Sequence, residues 1–511
     1  MIRGSRFCAR EKRSVLPLLD DTQGRGQSKA GSHRVTPMHI RIKAKMQKSA
    51  LRSIESVTGS QGPQEASAPD LSKNALLLQG PIGPFFSRFA QDLTSRGFNV
   101  TKINFNGGDS FFYRNSGALD YTGTLDDWEV WLERVLINCQ IGRIYLFGDC
   151  RSYHRIAREL AKRLQIRVFV FEEGYIRPNF ITLEEEGVNG HSSMMSRPFN
   201  GSPVADELPS EMQQPKHVFH LTAVYSMMYY MASAVQRERF MNYRHHRPFH
   251  CLSEGARWIR SGLRKWKYGR REKSVLKEVL SQYDGNFFLC PLQVHCDMQV
   301  IVHSEFNSIE HFIGDVLASF RENASSNKAI VFKHHPLDRG YTDYTTLFAN
   351  LVAELGLQGR VFYVHDVCLP TLLKHAQGTV LINSTVGLSS LFHGAPVKTL
   401  GKAIYDVPGL TAQESLDEFW SCNRVVDSEL FKSFRSFLIN RNQLNGNLYR
   451  RVSDEGETGI VWPGNLLETH SWKEKEESTL VEKTAMPPLK VVGGTSVSAF
   501  KQDKDGSAEA A

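Results

Sequence analysis

The eight cysteines of this chain include no C-x-x-C pair. That spacing would mark a zinc ribbon or a dithiol redox centre, so neither is expected. Residues 74 to 445 contain no D-x-D pair, the pattern that ties a divalent metal to a nucleotide diphosphate. The glycine turn after the first apolar run is not G-x-G-x-x-G, which argues against a dinucleotide cradle. Histidines stand as neighbouring pairs, His245/His246 and His334/His335. Adjacent residues seldom ligate one ion on a regular element, so no metal site is expected. No early apolar run has the form of a signal peptide, and several cysteines sit in apolar stretches. Both point to buried thiols in a reducing compartment, the cytoplasm.

Charge of one sign is also scarce where it would matter. Residues 1–73 carry the whole net charge of +8, and the remainder is neutral. The pI of 8.9 therefore belongs to the N-terminal extension and implies no nucleic-acid partner. Long hydrophobic runs are nearly absent too. The one uncharged stretch, Val218 to Gln236, carries His220 and several tyrosines and serines, with few Leu, Ile or Val. It reads as a buried or interfacial helix rather than a membrane span. Residues 244–273 then hold ten Lys/Arg against Glu254 and Glu272, interleaved with Trp258, Trp266 and Tyr268. Two readings stand: a solvated helix face, or a patch lying on anionic lipid.

What is present is a strand–helix alternation. Expected strands are Ala75–Leu78, Val100–Phe105, Arg143–Phe147 and Arg167–Phe171, with helices at Trp128–Ile137 and Tyr153–Leu164. The rhythm restarts with strands Asn286–Leu289, Ala329–Phe332, Val361–Val364, Thr379–Ile382 and Val397–Leu400, and helices Ser308–Phe320 and Tyr344–Leu355. Such alternation predicts α/β architecture with parallel sheets. The expected division is a basic disordered extension (1–73, with Met38 and Met46 as alternative starts) and a Rossmann-like domain (74–215). A helical basic connector (216–282), a second Rossmann-like domain (283–445) and a polar tail (446–511) follow. A ligand is then expected in the cleft between the two domains.

Polar residues past the carboxyl ends of parallel strands are where such sheets bind ligands. Lys333-His334-His335-Pro336 and Asn383-Ser384-Thr385-Val386-Gly387 each follow an apolar strand. A Lys, a His, a Ser and a Thr there suit an anionic, phosphate-bearing ligand. Pro336 biases His335 to an extended backbone. The amides opening a helix at Leu388–Phe392 would favour a phosphate. Gln293 and Asp297 follow the first strand of the second half; Asp297 is either a helix cap or a reactive carboxylate at the cleft mouth. In the first half, the Gly80–Gly83 turn is either structural or a place where an acceptor approaches the backbone. Asp149, Arg151 and His154 share one strand end and suit an anionic group. Glu172 and Glu173 are adjacent carboxylates with Arg177 as the expected partner, either a buried ion pair or an acid/base site with a raised pKa. Asn189 extends the same loop.

Taken in order, the segments Gly80-Pro-Ile-Gly, F-G-D-C-R-x-Y-H (147–154), F-E-E-G-Y-I-R-P (171–178) and G-V-N-G (187–190) form one half of a pattern. Q-x-x-x-D-M-Q-V (293–300), K-H-H-P (333–336) and N-S-T-V-G-L-S-S-L-x-H-G-x-P (383–396) form the other. Together they resemble the bacterial capsule polysaccharide synthesis and export family, and within it the single-module lipid-linker β-Kdo transferases. The resemblance spans roughly residues 75–445. It implies a GT-B-like fold and a retaining transfer of Kdo from CMP-Kdo to a phosphatidylglycerol-type lipid at the inner-membrane surface, beside capsule biosynthesis and ABC export components. CMP-Kdo is a substrate, so no cofactor is implied. By the same likeness Asp297 is the nucleophile, and Lys333 and His335 hold the CMP phosphate. Gln293, Asn383, Ser384, Thr385 and Gly387 also lie on the nucleotide sugar. Gly80, Gly83, Asp149, Arg151, His154, Arg177 and Asn189 lie on the facing acceptor domain, with Glu173 there as the second catalytic residue. The Glu-Glu-Gly here replaces the Glu-Asp-Gly of related two-module enzymes. Alternatives are a non-catalytic export factor, or a GT-B-like transferase for another nucleotide sugar.

Overall fold

A computed structural model describes residues 73–178, 180–201, 218–245, 251–421, 423–463 and 466. The expected N-terminal extension falls almost entirely outside the described residues, as does the chain beyond 466.

The first half runs β1 (Asn74–Leu77), α1 (Phe85–Ser95), β2 (Asn99–Asn104), α2 (Gly107–Phe112), β3 (Ala118–Asp120), α3 (Trp128–Asn138), β4 (Arg143–Phe147), α4 (Ser152–Arg163), β5 (Arg167–Glu173) and β6 (Phe180–Glu185). Two helices follow, α5 (Phe219–Val235) and α6 (Cys251–Tyr283). The second half runs β7 (Phe287–Pro291), α7 (Met298–His303), α8 (Ile309–Asn323), β8 (Ala329–Lys333), α9 (Thr345–Leu355), β9 (Val361–Val364), α10 (Leu369–His375), β10 (Gly378–Leu381), α11 (Val386–Phe392), β11 (Val397–Thr399), α12 (Leu416–Phe419), α13 (Ser428–Arg441) and β12 (Gln443–Asn445).

The strands form two sheets, ordered β12-β6-β5-β4-β1-β2-β3 and β11-β10-β7-β8-β9. Every pairing is parallel except those of β6 with β5 and with β12. Parallel strands are covered on both faces, which is why β7 and β8 are buried along their whole length. In the first sheet Leu76 and Ile144 face one helical layer, and Leu77 and Tyr145 the other. A separate cluster joins Tyr175, Met194 and Phe199 of the first half to Leu388, Tyr405 and Phe434 of the second. This is the α/β, GT-B-like arrangement expected from the sequence.

One expectation changes and another holds. The polar tail does not begin at 446: β12 pairs with β6, and Leu448, Ile460 and Leu466 enter the first half's core beside Phe85 and Phe89. Asp92, buried on α1, accepts the amide of Thr458 at 3.1 Å and holds this return segment. The apolar residues are too sparse there to show a period. The uncharged stretch is helix α5, docked against α2. Its Tyr229 is buried, and the Tyr229 hydroxyl donates to Asp109 at 3.0 Å. Among the described residues no helix is long and apolar enough to cross a membrane.

Candidate functional site

Asp297 is the N-cap of α7, and its Oδ1 accepts the Gln299 amide at 2.9 Å. Its other oxygen accepts from Gln293 Nε2 at 3.2 Å. The same Gln293 amide donates to Asn383 Oδ1 at 3.0 Å, and Asn383 Nδ2 donates to the Gln299 carbonyl at 2.9 Å. Gln293, Asp297 and Asn383, drawn from loops after two different strands, thus form one hydrogen-bonded unit. Both readings of Asp297 meet here: it caps a helix, and it remains half-exposed at the carboxyl edge of the second sheet.

A narrow pocket opens beside this unit, lined by Asn383, Thr385, Lys402 and Tyr405 of the second half and Tyr175 and Asn189 of the first. Asn189 is held by a bond from its amide to the Tyr175 hydroxyl at 2.7 Å. The Tyr175 hydroxyl in turn donates to Glu184 at 2.8 Å, and burial pushes that carboxyl up to about 7. Thr385 precedes α11 without capping it, which leaves its hydroxyl to the crevice, while Ser384 Oγ accepts the Val386 amide at 3.3 Å. Gly387 is needed because a Cβ there would fall on the Tyr405 ring.

The two residues of the Lys-His-His-Pro loop assigned to phosphate part company. Lys333 is buried and turns inward, its Nζ reaching the His365 carbonyl at 3.4 Å, and burial lowers its pKa. That corrects its expected place on the phosphate. His335 is half-buried, and its Nδ1 accepts the Leu337 amide at 3.2 Å. Its proton therefore resides on Nε2, and burial lowers its pKa to about 4, so a neutral imidazole presents an N–H donor. His334 lies in the interior, 2.7 Å from the Tyr363 hydroxyl.

The first half departs further from expectation. A Cβ at Gly80 would strike the Phe86 ring, and Gly83, at φ +115°, packs against Tyr225 of α5. What approaches this turn is the protein's own aromatic side chains, so the turn is structural. Asp149 is 1% exposed, accepting the Val188 amide at 3.2 Å and bonding His191 Nδ1 at 3.0 Å. Burial alone would raise its pKa, but the His191 hydrogen bond and the Arg158 charge outweigh it and hold the carboxyl low. His154 is fully buried, 2.7 Å from the Gly148 carbonyl through Nδ1, and burial lowers its pKa to about 3. Arg151 donates to Gln79 Oε1 at 2.8 Å. These residues support the loop from beneath, and the sharing of one strand end did not reveal that.

Burial, and then the charge of Glu173, push the Glu172 pKa up to about 7. Glu173 accepts the Tyr449 hydroxyl at 3.1 Å, a partner supplied by the return segment. Arg177 donates through Nε to the Gly174 carbonyl at 3.2 Å instead of bridging the glutamates. Sequence reasoning thus missed Glu172, Tyr175, Gln299, Lys402 and Tyr449. Glu172 carried a signal as the less favoured member of a visible pair, and Tyr175 and Gln299 stand inside F-E-E-G-Y-I-R-P and Q-x-x-x-D-M-Q-V; Lys402 and Tyr449 carried none. Among the described residues one group has metal-binding composition, Cys150, His191 and His303, with ligand atoms within 4.8 Å of one another.

Comparison with known proteins identifies the family of the chain. Residues 143–449 match the family described as capsule polysaccharide biosynthesis protein. The chain is 40% identical over 377 residues to the capsule polysaccharide export protein KpsS of Escherichia coli, covering 74% of this chain and 97% of that one. It is also 40% identical over 391 residues to the capsule polysaccharide modification protein LipB of Neisseria meningitidis, covering 75% and 93%. Among solved structures, KpsC β Kdo 2,4 transferase of Thermosulfurimonas dismutans aligns at 14% identity and a TM-score of 0.34, over 71% of this chain and 90% of that one.

Proposed function

Because the chain belongs to the capsule polysaccharide biosynthesis family, we propose that it is a retaining β-Kdo transferase that moves Kdo from CMP-Kdo to a phosphatidylglycerol-type lipid. The observation that carries this reading is the Gln293–Asp297–Asn383 unit beside a crevice lined from both halves. A carboxylate fixed by a neighbouring amide at such a crevice suits attack on an anomeric carbon.

In the first step an Asp297 oxygen bonds to the anomeric carbon of Kdo. The bond from that carbon to the phosphate oxygen breaks, and CMP leaves with the electron pair. The His335 Nε2–H donor and the Thr385 hydroxyl suit the departing phosphate. In the second step a lipid hydroxyl attacks the same carbon, displaces Asp297, and passes its proton to a carboxylate. Two displacements retain configuration. Glu172, with its pKa near neutrality, suits that proton better than Glu173.

The lipid side of the proposal rests on helix α6. Arg264 bonds the Arg339 and Thr342 carbonyls at 2.8 Å, and Tyr268 stacks on His365 at 3.9 Å. Glu272 accepts the His365 amide at 2.8 Å. That polar stripe faces the protein. Ile259, Leu263 and Trp266, spaced i, i+4, i+7, are 69%, 66% and 64% exposed, with Arg270 over the Trp266 ring. A helix that is polar inward and apolar outward, among lysines and arginines, is built for a membrane interface. Met227 and Met231 of α5 add exposed apolar surface.

Purified protein supplied with CMP-Kdo and phosphatidylglycerol vesicles should release CMP and yield a Kdo-bearing lipid. No product under any lipid presentation would overturn the proposal. Stabilisation by UDP but not CMP would redirect it to another nucleotide sugar. The Trp258→Ala/Trp266→Ala double variant should bind anionic vesicles about tenfold less well.

A further inference from the structure

Cys150 follows β4, His191 lies in the loop after β6, and His303 ends α7 of the opposite half. Cys150 Sγ stands 3.8 Å from His303 Nε2, and the two imidazoles meet edge to face at 4.5 Å between centroids. A tetrahedral zinc ion with usual Zn–S and Zn–N bonds sets sulfur and nitrogen about 3.6 Å apart. The Cys150–His303 pair stands a few tenths of an ångström from that separation, and all three ligand atoms lie within 4.8 Å of one another. We propose that Cys150, His191 and His303 bind one Zn2+ ion, tying the two halves of the protein together beside the crevice.

Three further features fit a ligand set. His191 Nδ1 is already engaged by Asp149 at 3.0 Å, which leaves Nε2 as the nitrogen for a metal. A carboxylate behind a ligating histidine is the usual arrangement at zinc sites. His303 is 3% exposed and pressed against Gly190, where a Cβ would fall 2.3 Å from its Nδ1. The glycine therefore admits the ring to this position. Finally, His191 is exposed while His303 is buried, so a fourth position opens outward to water. The ligands are soft-to-borderline, one sulfur and two nitrogens, which selects zinc over magnesium or calcium. The proposal does not depend on the transferase reading.

The test uses the full-length protein stripped with a chelator and titrated with Co2+ and then Zn2+. One equivalent of Co2+ should bring up a thiolate-to-cobalt charge-transfer band, and Zn2+ should displace it. Cys150→Ser should abolish the band and weaken Zn2+ binding at least 100-fold, and His303→Gln should weaken it comparably. Asp149→Asn, which weakens the carboxylate partner of both His191 and Cys150, should cost about 10- to 100-fold. Cys296→Ser and Cys368→Ser should leave the band intact. Circular dichroism of each metal-free variant separates lost ligation from lost folding. Absence of the band in the parent protein, or its persistence in folded Cys150→Ser, would overturn the site, whatever the enzyme's activity.

Discussion

The loops at the carboxyl edges of the two sheets differ in how they use polar side chains. Around β1 and β4 those side chains bond one another: Gln79 Nε2 donates to the hydroxyls of Tyr229 and Tyr243 at 3.1 and 3.0 Å, and Arg151 donates back to Gln79. Asp149 and His154 lie beneath the same surface. Around β7 and β10, Asn383 and Thr385 line the crevice, and Asp297 beside them stays part-exposed. The difference teaches that sharing a strand edge does not make residues equivalent. One edge is a buried support that docks α5, and the other leaves polar groups part-exposed at the crevice.

If that contrast is sound, substitutions in the second half should cost function before stability. Asp297→Asn keeps the helix cap and the shape of the unit, so the fold should survive. Transfer is expected to fall at least about 1,000-fold while CMP affinity changes only a few-fold. Full activity in this variant would break the comparison at its strongest point. Glu172→Gln should come next, with a loss of about 100-fold and disappearance of an ionisation near pH 7 from the rate profile. Glu173→Gln should do less, since its carboxylate is occupied by Tyr449. Equal effects would remove the distinction between the two glutamates.

The first half should show the opposite balance. Gln79→Ala leaves Tyr243 and Arg151 with unmet hydrogen bonds, at a cost of about 1–3 kcal/mol. Chemical unfolding should read that loss, while CMP affinity of the folded protein stays within about twofold. A larger effect on CMP than on stability would place Gln79 at the ligand.

The strands of the second sheet were legible because parallel strands buried on both faces are largely apolar, as in Ala329-Ile330-Val331-Phe332, whereas β3, β6 and β12 of the first sheet were not expected. Asp297 and Asn383 were legible because such strands deliver the following residues to one edge. Side-chain direction was not. Lys333 ends the same strand run as His335 yet points to the His365 carbonyl, and no local spacing encodes that choice. Tyr449 reaches Glu173 only because β12 returns to the first sheet, a long-range pairing written in three residues. The inward polar stripe of α6 was hidden for a similar reason. Its partners, such as Asp343 and the His365 amide, come from the second half.

The smallest expected effect concerns a histidine that the second half buries instead of displaying. His365 is 2% exposed, stacked on Tyr268, and neither ring nitrogen has a hydrogen-bond partner among the described residues. Burial, then the charge of neighbouring His334, lowers its pKa to about 3, against an unperturbed value of about 6.5. The unfolded chain therefore binds more protons than the folded one between those two values. Stability from this group is complete above about pH 6.5 and is lost progressively as pH falls toward 3. Phenylalanine fills nearly the same volume and cannot be protonated. His365→Phe should stay within about 1 kcal/mol of the parent at pH 8 and become the more stable protein at pH 5. Thermal melts at the two pH values decide it. An unchanged slope with pH would mean that the ring is protonated in the folded protein, and that the interior of this half is as wet as its edge.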